Sequence, residues 1–64
     1  MFDPVRDIPT TDDEAKSVLR FGRDTLISDL LIGLFESRRN QGDEVLEAYR
    51  YTLHTYIKTI LTIL

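Results

Sequence analysis

Apolar positions along this 64-residue chain change their spacing three times, and each change predicts an element. In the first ten residues they fall at Phe2, Val5 and Ile8, every third position. That repeat matches the three residues per turn of a polyproline-II strand, or an irregular arm laid over a groove. A frayed tail is the competing expectation, because termini are loose unless tied down. Both prolines, Pro4 and Pro9, lie in this arm, so everything after it is free to be helical.

From Asp12 toward Arg39 the spacing is helical, but the apolar face does not hold one direction. Ala15, Val18 and Leu19 share one side. Leu26, Ile27, Leu30, Leu31, Leu34 and Phe35 centre about 130° further round on a wheel of about 100° per residue. Gly22 stands at the changeover, and an interior glycine costs about 1 kcal/mol relative to alanine. Asp24 is next, a potential fresh N-cap. The expectation is a first helix either kinked or broken near Gly22, with a kinked and nearly continuous helix preferred. Its start is marked by Thr11 and Glu14, the two ends of a capping box, with Asp12 and Asp13 placing negative charge at the positive end of the helix dipole.

Asn40-Gln41-Gly42-Asp43 reads as a turn. Arg38 and Arg39 suit the last helical turn, Gly42 a left-handed stop, and Asp43 an N-cap for the next helix. That last helix, 44–64, has the most regular pattern. Leu46, Tyr49, Leu53, Tyr56, Ile60 and Ile63 alternate steps of three and four, the spacing of a single packed seam. Toward the end, Ile57, Leu61 and Leu64 widen the apolar arc to about 160°.

The expected fold is therefore all-α. It comprises an arm (1–10), a first helical region (11–39), a turn (40–43) and a C-terminal helix (44–64), the two helical regions forming an antiparallel hairpin. One hairpin cannot cover both the widened tail and the Leu26–Phe35 face, where Ile32 points away from the main set. Two hairpins packed as a four-helix bundle dimer would. The expected self-association residues are Leu26, Leu30, Leu34, Leu46, Tyr49, Leu53, Tyr56, Ile57, Ile60, Leu61, Ile63 and Leu64. Gly22, Gly33 and Ser37 are positions where backbones could approach closely.

Composition sharpens this picture. A chain so short has a core worth only about 3–5 kcal/mol, and such proteins commonly add disulfides, a metal or a partner chain. There is no Cys and one His, so disulfides, thiolate sites and His-rich metal sites are excluded. Hydrophobic content of 42% and charged content of 30% are those of a globular chain. The N-terminus lacks the basic and apolar regions of a signal peptide, and no run approaches a membrane span, which fits an intracellular protein.

Candidate chemistry is sparse. His54 has cations, Arg50 and Lys58, as its neighbours one turn away on each side. No nucleophile elbow, phosphate loop or dinucleotide fingerprint occurs. The expectation is no enzyme, no cofactor and no metal. Tyr49 and Tyr56 are read as seam rings, and Tyr51 as an exposed candidate contact. The functional expectation is an oligomerising interaction or regulatory module that binds itself and another protein. A dimeric nucleic-acid binder using Lys16, Arg20, Arg23, Arg38 and Arg39 is the alternative, disfavoured by a net charge of −3 and by acids such as Asp12 that suit i,i+4 pairing with Lys16. An oligomerisation segment of a longer protein is a third.

Overall fold

The computed structural model describes residues 1–63, which form three α-helices with no strand among them. Helix α1 spans Asp12–Arg20, α2 Thr25–Asn40 and α3 Val45–Ile63. The region expected to be kinked or broken near Gly22 is broken there, into two helices rather than the preferred kinked one. At their junction the backbone forms a type II turn. Phe21 lies at φ −63°, ψ 123°, Gly22 at φ +69°, and Arg23 N–H donates to Arg20 O over 3.3 Å. Only a residue that tolerates positive φ fits the third position of that turn, which is why the glycine ends the helix rather than bending it. Asp24 then caps α2, its Oδ1 accepting from Ile27 N–H at 3.0 Å. The Arg23 guanidinium folds back to donate to Val18 O (3.1 Å), which also accepts from Phe21 N–H, and to Phe21 O (3.3 Å), fastening the turn to the end of α1.

The start of α1 obeys its capping chemistry. Thr11 Oγ1 accepts from Glu14 N–H at 3.2 Å, while the Glu14 carboxylate reaches one residue further than a simple capping box. It accepts from both the N–H and the hydroxyl of Thr10. Those two bonds hold the Glu14 carboxyl below its ordinary pKa.

Helix α2 stops in a Schellman motif, with Gly42 at φ +105°, Asp43 N–H on Arg38 O and Gly42 N–H on Arg39 O, both 3.1 Å. Asp43 does not serve as the cap of α3. Its carboxylate instead accepts from Arg38 Nε at 2.8 Å, and its carbonyl from Arg39 Nη1 at 2.7 Å.

The arm is not the expected extended strand. Asp3 accepts from Val5 N–H through its side chain (2.9 Å), and its carbonyl accepts from Asp7 N–H (2.8 Å), closing a turn around Pro4. This turn leaves Val5 and Ile8 exposed. Phe2 is half-buried and Pro9 fully buried.

The core consists of Ala15, Leu19, Leu31, Ile32, Phe35 and Ala48, with Ile27, Val45, Tyr49, Leu53 and Tyr56 packed against it. Helix α1 runs antiparallel to α2, braced by Lys16–Glu36 (3.3 Å) and Arg39–Asp12 (2.8 Å). The expected Asp12–Lys16 neighbour pair is replaced by these cross-helix pairs, because both side chains are drawn toward α2. Ile32, which points away from the main apolar set of its helix, is buried. Helix α1 sits on the Ser28–Ile32 side of α2 and pulls that side inward.

Candidate interaction surface

The rotation that buries Ser28 and Ile32 turns the opposite side of α2 outward. Leu26 is 72% exposed and Leu30 65% exposed, one turn apart on the same side of the helix. Beside them the surface of α2 and α3 is hollowed into an open groove of about 460 Å³. Leu30, Gly33 and Leu34 form one wall, Thr55 and Thr59 the other, with Leu31 and Tyr56 also lining it. Few polar atoms reach the surface there. Thr59 Oγ1 donates to Thr55 O at 2.8 Å, so its hydroxyl is spent inside the helix. Gly33 contributes to the hollow by absence: a Cβ built there meets nothing within 4 Å.

On a helical wheel this groove faces away from α1, which packs on the other side of the α2–α3 pair. The charges at its two margins differ in sign. Asp29, exposed, borders the α2 wall; Lys58, exposed, borders the α3 wall, with His54 beyond it. Among the described residues neither Asp29 nor Lys58 belongs to an ion pair. The difference is part of a larger segregation. All 11 acidic side chains lie between Asp3 and Glu47, and the rest of α3 carries Arg50, His54 and Lys58 with no acid.

The last two turns of α3 carry a second uncovered set. Ile57, Leu61 and Ile63 are exposed, Ile63 to 79%, and Ile60 to 37%. Helix α1 ends before it reaches this level, so α3 is flanked there by α2 alone. Ile57 and Leu61 lie about 160° round α3 from Thr55 and Thr59 by the wheel, on the side away from the groove. Of the other residues expected to mediate self-association, Leu34 and Leu46 are half-buried, while Tyr49, Leu53 and Tyr56 pack into the chain's own core. Leu64 lies outside the described residues.

The cations expected to form a nucleic-acid track are mostly occupied within the chain. Lys16 pairs with Glu36 and Arg39 with Asp12. Arg38 pairs with Asp43, and its guanidinium also stacks 4.5 Å from the centre of the Tyr51 ring. Arg23 caps α1 and stacks 5.4 Å from the centre of the Tyr56 ring. Arg20 is exposed and has no ion-pair partner among the described residues. A phosphate backbone would have to compete with three ion pairs to use the rest.

The groove itself is not legible in the sequence. The sequence assigns Leu26, Leu30 and Leu34 to self-association, but the hollow they form with Thr55 and Thr59 depends on where α1 packs. The signal present in the sequence was Gly33 one turn after Leu30 and beside Leu34, a gap in an otherwise bulky face. No group of His, Asp or Glu side chains able to hold a metal occurs among the described residues, and no helix there is long and apolar enough to cross a membrane. No protein-family model matches the chain, and neither a curated protein nor a solved structure does.

Proposed function

We propose that the protein is a non-catalytic, self-associating helical module whose α2–α3 groove face is covered by another copy, and that its role is to assemble and present its outer surfaces to other proteins. The observation carrying this reading is the exposure of Leu26 and Leu30 beside an apolar groove that the described residues do not fill. The area supports it. A compact monomer of 7.4 kDa has an accessible surface of about 4,200 Å². This chain has 4773 Å², roughly 600 Å² more, so it leaves open surface that a compact fold of its size would cover.

Burying a leucine removed from water contributes about 1.5–3 kcal/mol. Leu26, Leu30 and Leu34 from two copies, together with the groove floor, are sufficient to offset the cost of association. Pairing through this face would place α2 and α3 of both chains in a four-helix layer, with the two α1 helices outside.

The test is size-exclusion chromatography with light scattering on the unmodified chain and on Leu30→Asp. The expected result is a dimer for the first and a folded monomer for the second, circular dichroism confirming equal helicity. Equal masses for the two proteins would contradict the assignment of this face.

A further inference from the structure

Resting on the reading of the groove face as a self-association surface, we infer which way the two copies lie. Helix α2 of each packs over α3 of the other, with Asp29 of one copy beside Lys58 of its partner along both margins of the interface.

Two symmetric arrangements bring a pair of such faces together. With the two-fold axis along the helices, α2 covers the partner's α3. With the axis across them, α2 covers the partner's α2. The face itself discriminates between these. Its α2 margin carries Asp29 and its α3 margin Lys58, both exposed. The second arrangement sets like charges against like on both margins; the first sets opposite charges together twice.

Size gives the same answer. The α2 side is built of protruding leucines, Leu26 and Leu30, and the α3 side of the smaller Thr55 and Thr59. Leucines of one copy fit over the threonine wall of the other, whereas α2 on α2 would bring leucine against leucine and leave the threonine walls apart. The register agrees as well. Leu30 and Thr59 line the groove together, so α2 and α3 run side by side with Asp29 level with Ile60. In the first arrangement that puts Asp29 within about one helical turn of the partner's Lys58 along the axis. Gly33, beside whose Cβ position no described residue lies within 4 Å, then lets the partner helix close in.

The arrangement predicts a charge-reversal pattern, read by sedimentation equilibrium at low salt. Asp29→Lys and Lys58→Glu each weaken the dimer by about five-fold or more, since two symmetry-related pairs turn repulsive at once. The double variant Asp29→Lys/Lys58→Glu regains most of the wild-type affinity. Added salt shrinks these differences. Both positions are exposed, so all variants keep the helical circular dichroism of the parent. Gly33→Leu is the uncharged control, and dissociates the dimer while remaining folded.

If the unmodified chain dimerises but the single reversals are silent, or the double is no tighter than the singles, the orientation is wrong and self-association stands. If the unmodified chain is monomeric at every concentration, the underlying reading fails as well. Sedimentation of a monomeric chain with phosphatidylserine vesicles, dependent on Arg50 and Lys58, would assign the α3 surface to a lipid and overturn both.

Discussion

Arg39 Nε donates to Asp12 Oδ1 at 2.8 Å across 27 positions of sequence, tying the first turn of α1 to the last turn of α2. The same arginine donates through Nη1 to Asp43 O, so one side chain joins both helices to the turn that leads into α3. Asp12→Ala removes the long-range contact and part of the favourable charge at the N-terminus of α1. Both partners are partly exposed, so the expected loss is about 1 kcal/mol, reduced by salt. A double-mutant cycle with Arg39→Ala, measured by urea unfolding, should give a coupling energy of the same size. A coupling of zero would contradict a stabilising role for this pair and leave α1 held by Ala15, Leu19 and the Lys16–Glu36 bridge.

Phe35 is the largest fully buried side chain and lies in the core that all three helices share. Truncation to alanine costs about 3–5 kcal/mol, comparable with the whole stability of a core this small. Phe35→Ala is therefore expected to abolish cooperative thermal unfolding even at high protein concentration. A sharp melting transition in that variant would contradict the placement of the core.

Three glycines invite the same substitution with different results. Gly22 and Gly42 sit at positive φ, where an L side chain costs about 1–2 kcal/mol. Gly33 is an ordinary helical residue with open space at its Cβ position, so alanine there favours the folded chain by about 1 kcal/mol. Gly22→Ala should lower the melting temperature. Gly33→Ala should raise that of a monomeric background such as Leu30→Asp. Signs reversed from these would show that the turn at Phe21–Gly22 or the helical run through Gly33 is wrongly placed.

Acid should loosen the start of α1. The Thr10 N–H and hydroxyl hold the Glu14 carboxyl below its ordinary pKa, so the ionised form is the one that the fold favours. A group whose pKa is depressed on folding stabilises above its unfolded value, and that contribution is lost as pH falls through the folded value. Glu14→Gln retains a polar side chain but cannot titrate. The stability difference between wild type and Glu14→Gln should be larger near pH 7 than near pH 3. A difference that stays constant across that range would contradict the role of the carboxylate.

What the sequence disclosed was local. Thr11 with Glu14, Gly22 before Asp24, and Gly42 after Arg39 each act within a few residues of themselves, and each marks a helix end in the structure. The exception among these signals, Asp43, was diverted from capping α3 by the nearby Arg38. What stayed hidden depends on a third body. The wheel of α2 alone puts Leu26 and Leu30 on one face with Ile27, Leu31 and Phe35, and does not separate those the chain itself covers from those it leaves open. Packing of α1 against Ser28 and Ile32 rotates the helix and exposes Leu26 and Leu30. The partners of Asp12, Lys16 and Arg39 were hidden for the same reason, since each lies on another helix. The groove was illegible because it is the remainder of the packing, defined by where α1 is not.

Sedimentation equilibrium of the unmodified chain, from submicromolar to high micromolar concentration, tests self-association most directly. The expected result is a reversible rise from one chain mass of 7.4 kDa to twice that mass, with helicity retained. A single species at 7.4 kDa, folded and unchanged across the whole range, would contradict it.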